Sequence, residues 1–191
     1  MSDWRAHWEA RWAQMRGEIP PAPARVLEEN LHLLPPRGAA LDLACGLGAN
    51  ALLLAERGLE TWAWDWSEQA VAAVRARAAG LTLEAQVRDV VADPPEPESF
   101  DVIVVVRFLE RGLMPALQRA LRPGGLLFYQ TFVQEAVSDR GPRRRRFRLA
   151  PNELLSLLPD LRLVVYREEG RLGDLARGFR DEVLYIGQRV G

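Results

Sequence analysis

Residues 39–58 read AALDLACGLGANALLLAERG. An apolar run closes at Leu43 with one aspartate, Asp42, set inside it. The small residues Ala44, Cys45, Gly46, Gly48 and Ala49 follow, then an apolar pattern at helical spacing through Ala51, Leu52, Leu54 and Ala55. A strand, a tight turn and a helix N-terminus in that order let a ligand approach the backbone closely. The next apolar run, Thr61 to Trp64, ends in Asp65. An acid closing the second strand about twenty residues beyond Gly46 is placed to hold a ribose diol. The stretch reads as built around a nucleoside-containing cofactor.

Two cofactors suit that arrangement. Gly46, Gly48 and Ala51 satisfy the dinucleotide pattern G-x-G-x-x-G/A, which alone has little specificity. Asp42 favours the other option, because a pyrophosphate at the turn would be repelled by a carboxylate on the adjoining strand. S-adenosylmethionine carries no phosphate and presents an ammonium and a sulfonium there, which an acidic strand end favours. Asp42-Leu43-Ala44-Cys45-Gly46-Leu47-Gly48 resembles motif I of the class I S-adenosylmethionine-dependent methyltransferases, with Ala44 standing where that family commonly has glycine.

A chain of 191 residues is the size of one domain with a proper core. With 48% hydrophobic and 27% charged residues and a net charge of −1, it reads as soluble, with no global pull toward nucleic acid or membrane. The single cysteine excludes an internal disulfide and makes a reducing cytoplasm the expected location. No apolar run reaches the length of a membrane span, and the leading MSDWRAHWEARW lacks the apolar core of a signal peptide. All 25 basic residues are arginine, so lysine chemistry is excluded. His7 and His32 lie outside ligand spacing of other metal-binding residues, and no metal site is expected.

Residues 1–34 read as a helical segment broken at Pro20, Pro21 and Pro23, with Trp4, Trp8 and Trp12 on one helix face. Ser67 is an expected N-cap, with Ala70, Val71 and Val74 on the buried side of its helix. Strands are expected at Leu81–Val87, Phe100–Val106, Leu126–Phe132, Leu161–Arg167 and Val183–Gln188. FDVIVVV at 100–106 is continuously apolar, as in a strand covered on both faces. Leu113–Leu121 reads as a helix, Arg122-Pro123-Gly124-Gly125 as a stop and turn, and Pro151–Leu158 as a short helix. Alternating strands and helices predict one α/β domain over 1–191, a doubly wound, mostly parallel seven-stranded sheet of Rossmann-like type. It divides into a helical lid (1–34), a cofactor-binding core (39–132) and a substrate-side loop with C-terminal strands (133–191).

Further stretches extend the resemblance across residues 39–132. Trp64-Asp65-Trp66-Ser67 resembles the family's second motif, which implies that Asp65 holds the ribose and Trp66 lies beside the cofactor. Arg88-Asp89-Val90 resembles the next, in which the acid accepts from the adenine amino group and the following amide meets the ring. Leu121-Arg122-Pro123-Gly124-Gly125 resembles the L-x-P-G-G turn before the fifth strand. Within the class the chain is most similar to the small bacterial tellurite-resistance and thiopurine methyltransferase group. His7-Trp8-Glu9-Ala10-Arg11-Trp12 resembles that group's W-x-x-R-[YW] helix, and motif I with Asn50 resembles its version. This implies a helix closing over the cofactor, with Trp8 and Trp12 near the sulfonium. The resemblance also brings Ala44, Cys45, Gly46 and Asn50 to the cofactor.

Arg107 closes an otherwise apolar strand at the carboxyl edge, where it must reach a partner or water. It is expected to bond the cofactor carboxylate or to hold an anionic substrate, while Glu110 and Arg111 read as a surface pair. His7, on the lid, is the other substrate-side candidate, as a proton acceptor; His32 reads as structural and Cys45 as inert packing. The run Arg143–Arg148 reads as an anion clamp or as a solvated loop, the loop being favoured. The stretch after the fourth strand lacks the N-P-P-[YF] signature of amine methylation, and no cysteine pair is present to attack a base. The expected activity is S-adenosylmethionine-dependent methylation of a small acceptor, anionic or soft (a thiol or chalcogen), with no nucleic acid or membrane partner. The alternatives are an RNA methyltransferase using residues 143–148, a cofactor-binding partner without catalysis and, weakest, a nicotinamide oxidoreductase.

Overall fold

The computed structural model describes residues 9–10 and 22–191. Strands β1 (Ala39–Leu43), β2 (Glu60–Asp65), β3 (Leu83–Val87), β4 (Phe100–Val106), β5 (Leu121–Phe132), β6 (Leu161–Arg167) and β7 (Glu182–Arg189) form one sheet in the order β3-β2-β1-β4-β5-β7-β6. The pairings among β1 to β5 are parallel, and β7 runs antiparallel to both β5 and β6. Helices α1 (Arg25–Glu28), α2 (Ala49–Glu56), α3 (Glu68–Arg77), α4 (Met114–Ala120) and α5 (Glu153–Leu157) flank it.

Alternation along β4 shows why Val102 to Val105 are all apolar. Ile103 and Val105 face a cluster with Leu41, Leu43, Leu127 and Tyr129, covered by Met114 and Leu117 of α4 and Leu154 of α5. Val102 and Val104 face the opposite cluster with Ala40, Phe128 and Ile186, covered by Val26 and Leu27 of α1 and Leu54 of α2. Burial on both faces leaves no position for a polar side chain between Val102 and Val105, and the one acid of the strand, Asp101, lies at its half-buried start.

Beyond the break expected at Pro23, residues 24–34 are not one helix. They form the four-residue α1 and a 3₁₀ turn at Leu31–Leu33. Strand β3 opens at Leu83, two residues later than its apolar pattern suggests. The Arg122–Gly125 stretch is also different from the expected helix stop: α4 ends at Ala120, and Leu121 already pairs with Phe100. The register then jumps, so that Val102 pairs with Leu126, and the Arg-Pro-Gly-Gly segment is an irregularity inside β5. The sheet order reverses between β1 and β4, and the carboxyl ends of these two strands open the crevice where α/β sheets bind ligands.

Candidate active site

The β1–α2 turn is forced into shape by three left-handed residues, Ala44 (φ 57°), Gly46 (φ 53°) and Gly48 (φ 79°). A Cβ on Gly48 would lie 2.6 Å from Val74 Cγ2, so glycine here also lets α3 close on the turn. Ala44 adopts the conformation for which glycine is better suited, which explains the family's usual residue there. The turn is pinned to β2 by Cys45 N–H donating to the Trp64 carbonyl at 3.0 Å.

Asp42 lies beneath this turn, 1% exposed. Its Oδ2 accepts from Ala51 N at 3.0 Å, so a carboxylate already occupies one amide donor in the first turn of α2. A phosphate would compete with it for the same helix end. Its Oδ1 is buried without a hydrogen-bond partner among the described residues. Burial pushes the Asp42 carboxyl up to about 7, the Ala51 amide and the Asn50 side chain pull it down, and the nearby Asp65 charge pushes it up again. An orphaned carboxylate oxygen in that setting is suited to a cationic ligand.

Asp65 is buried at the end of β2 and braces two turns at once. Its Oδ2 accepts from Gly46 N at 2.9 Å and its Oδ1 from Ser67 N at 3.0 Å. Burial raises its carboxyl above the ordinary aspartate value, against the pull of the Ser67 and Gly46 amides. Ser67 caps α3 as expected, accepting from Ala70 N at 3.2 Å. Glu9 adds a contact that the sequence does not announce: its carboxylate accepts from Ser67 Oγ at 2.9 Å and from Glu68 N at 3.0 Å. This holds the helical Glu9–Ala10 turn beside the ribose candidate Asp65. His7, Trp4, Trp8 and Trp12 lie outside the described residues.

Other cofactor candidates gather along the same edge. Asp89 is exposed after β3, and its Oδ1 shapes the following turn by accepting from Val91 N at 3.1 Å and Ala92 N at 3.3 Å. Val90 is buried in the cluster that contains Leu43 and Trp64, and Trp66 is half-buried. The Asn50 carbonyl accepts from Ala24 N at 2.8 Å, so α2 is tied to the segment leading into α1. Cys45 is buried, and desolvation together with the charges of Asp42 and Asp65 pushes its thiol well above the ordinary range, which makes it inert. His32 is exposed on the 3₁₀ turn.

Elsewhere along the edge, arginines pair with carboxylates. Arg107 follows β4 with φ 55°, and its Nε donates to Glu182 Oε1 at 2.8 Å. Glu182 is buried at the start of β7 and also accepts from Gln130 Nε2, while Gln130 Oε1 accepts from Val26 N at 2.9 Å. Arg111 does not form the expected surface pair with Glu110. It makes a two-pronged bond to Glu153, at 2.6 and 3.0 Å, and donates to the carbonyls of Arg146 and Arg148. That hydrogen bond holds the Glu153 carboxyl below its ordinary value despite partial burial. The arginine run is accordingly a stapled loop: Arg145 donates to Gln134 Oε1, and Arg148 donates to the carbonyls of Pro142, Val133 and Arg140. Gln130, Arg140 and Glu182 were not signalled as site residues. Gln130 stands out in retrospect as a polar residue inside the apolar LLFYQTF strand.

Residues 40–125 match the family model described as a methyltransferase domain. The ubiquinone biosynthesis O-methyltransferase of Idiomarina loihiensis is 33% identical over 107 residues, covering 51% of this chain and 44% of that protein. The protein of the same name from Stutzerimonas stutzeri is 26% identical over 162 residues, covering 78% of this chain and 67% of that protein. The chain therefore spans between about half and two thirds of the length of these relatives. Among solved structures, TehB from Haemophilus influenzae superposes with a TM-score of 0.72 at 19% identity, over 95% of this chain and 67% of that one. S-adenosylmethionine is the cofactor named for another solved protein of this fold, a methyltransferase from Listeria monocytogenes that superposes with a TM-score of 0.69 at 14% identity, over 86% of this chain and 96% of that one. None of the helices among the described residues is long and apolar enough to cross a membrane. Residues 40–125 are thus similar to the methyltransferase-domain family, and the fold is the one that the solved S-adenosylmethionine-dependent methyltransferases share.

Proposed function

We propose that this protein transfers a methyl group from S-adenosylmethionine to a soft nucleophile, a thiol or chalcogen, on a small molecule. The observation that carries the cofactor half is Asp42, buried with one oxygen bound to the α2 N-terminus and the other unpartnered. The residues present suit the cofactor: Asp42 for the ammonium end, Asp65 for the ribose hydroxyls, and Asp89 with the Val90 amide for adenine. When bound, S-adenosylmethionine supplies a methyl group on a positively charged sulfur, already activated for displacement. The protein then has chiefly to align the reactants and exclude water.

The acceptor half is supported by what the edge offers for proton transfer. Among the described residues, Asp65 and Glu182 are committed to hydrogen bonds, and His32 is remote on the 3₁₀ turn. A thiol or chalcogen acceptor ionises readily and needs little help from a base. The names of the sequence relatives favour a second reading, an oxygen acceptor, which needs a base to remove its proton.

The test is calorimetric titration with S-adenosylmethionine and S-adenosylhomocysteine, followed by a methyl-transfer screen over small thiols, selenols, phenols and catechols. Micromolar binding is expected, weakened about 10- to 100-fold in Asp65→Asn through loss of charged acceptors. No heat with either ligand would sink the cofactor assignment. Turnover confined to phenols or catechols would replace the soft acceptor with the oxygen one.

A further inference from the structure

We propose that Arg107 and Arg140 form an oxyanion-binding subsite that takes a carboxylate or phosphate group of the methyl acceptor, a deepening that rests on the methyl-transfer reading above. Arg107 lies 2.8 Å from Glu182 Oε1, and Arg140 reaches the same oxygen at 4.0 Å. One buried carboxylate thus faces two guanidinium groups. The exposures are opposite in sign: the Glu182 side chain is 4% exposed, against 47% for Arg107 and 63% for Arg140. An incoming group meets the cations and not the anion beneath them.

Arg140 is held in place and is not a stray surface charge. Its backbone N–H donates to Ser138 Oγ at 3.2 Å, and its carbonyl accepts from Arg148. Ser138 is in turn anchored by Asp181, which accepts from Val137 N at 2.7 Å, Ser138 N at 3.0 Å and Ser138 Oγ at 2.5 Å. Asp181 is buried, so the second carboxylate of the group is also spent inward. The next residue, Gly141 (φ 87°), passes so close to Phe132 that a Cβ would lie 2.5 Å from its ring. Arg107 and Arg148 stand over that ring at 5.8 and 5.6 Å. Arg107 and Arg140 thus share Glu182, while Arg148 beside them donates only to backbone carbonyls.

The position assigns these arginines to the acceptor. Arg107 follows the last residue of β4, Val106, which pairs with Gln130, and Phe132 pairs with Glu182 across β5 and β7. The subsite lies on the β5–β7 side of the β1–β4 crevice, while Asp42, Asp65 and Asp89 lie toward β1, β2 and β3. Arg107 uses Nε on Glu182, so its terminal nitrogens can meet an oxyanion in the paired geometry that arginine favours.

The experiment follows inorganic phosphate and benzoate binding by NMR shift perturbation at constant ionic strength, on full-length protein with and without saturating S-adenosylhomocysteine. Wild type, Arg107→Gln, Arg140→Gln and the control Arg162→Gln on the exposed part of β6 are compared. Saturable millimolar binding is expected in wild type and the control, weakened about tenfold in both test variants, with S-adenosylhomocysteine affinity changed less than about threefold. Preference for phosphate over benzoate, or the reverse, distinguishes the two oxyanions. Unsaturable binding in wild type, or equal affinity in all four proteins, overturns the subsite. Joint loss of anion and S-adenosylhomocysteine binding overturns its assignment to the acceptor and gives the arginines to the cofactor carboxylate. If wild type binds no S-adenosylhomocysteine at all, the methyl-transfer reading fails, and the titration without it still decides whether the arginines bind an anion.

Discussion

The two halves of the ligand edge handle charge in opposite ways. On the β1–β2 side, Asp42 is buried with one oxygen orphaned, and Asp65, bonded through both oxygens, is raised by burial. On the β5–β7 side, the buried carboxylates Asp181 and Glu182 are saturated with donors, and half-exposed arginines lie above them. One side keeps an unpaired carboxylate oxygen within; the other is bonded within and displays arginines outside. A single edge can in this way receive a cationic cofactor and an anionic acceptor without the two sites cancelling each other's field.

The largest expected effect tests the cofactor side. Asp42→Asn should weaken S-adenosylmethionine binding about 10- to 100-fold by calorimetry, since a charged hydrogen-bond acceptor is lost. The same variant should leave the ligand-free protein at least as stable at pH 8, because it removes a buried charge. A clear fall in melting temperature at pH 8 would mean that Asp42 is satisfied without a cation, and the contrast between the halves would disappear.

Glu182→Ala should do the reverse, costing about 2 kcal/mol of stability by stranding Gln130 and Arg107, with cofactor affinity within about twofold. Chemical denaturation and calorimetry together read both numbers. Loss of cofactor affinity here would merge the two halves into one site.

Proton linkage sharpens the comparison further. Asp42 is raised to about 7 in the folded chain and a cation favours its ionised form, so cofactor affinity should fall as pH drops below 7. The decline should approach about tenfold per pH unit, with proton release visible by calorimetry in buffers of different ionisation heat. The ligand-free protein follows the opposite trend. A carboxyl raised on folding contributes stability that is full below its ordinary value near 4 and is lost as pH rises through 7. The smallest effect concerns Ala44→Gly, where relief of the left-handed conformation, about 1 kcal/mol, is offset in part by the entropy of glycine. A rise of one or a few degrees in melting temperature is expected, roughly what 0.5 kcal/mol gives, and a fall would mean that φ 57° is unstrained here.

The same division separates what the sequence makes legible from what it does not. Asp42, the turn glycines, Asp65 and the Ser67 cap lie within a continuous stretch, where spacing along the chain translates directly into position. Strand β4 is legible because burial on both faces makes Val102 to Val105 an unbroken apolar run. The Arg122–Gly125 irregularity is not, because Pro-Gly-Gly signals a turn whether or not the chain rejoins the same strand pair; only the β4 partner decides. Arg107 draws notice as a charge ending an apolar run, but its partner Glu182 is 75 positions away. Glu9 and Ser67 are likewise 58 apart, and neither neighbourhood carries a local sign of the other. Arg111 was misjudged for a related reason: a carboxylate next in sequence was available, and the loop returning from β5 offered a better one.

The reversed direction of β7 has a consequence for how such a protein can diversify. Every parallel strand delivers its exit to the ligand edge, so the residues there are inherited together with the turn that follows. Strand β7 instead delivers its entry, Glu182 with Asp181 just ahead of it, and the connection from β6 comes before them. Lengthening or rewriting residues 168–180 would re-aim those two acids, and through them Arg107 and Arg140, while the β1–α2 turn is untouched. Acceptor choice can thus drift on one hinge of the chain while the nucleoside site stays the same.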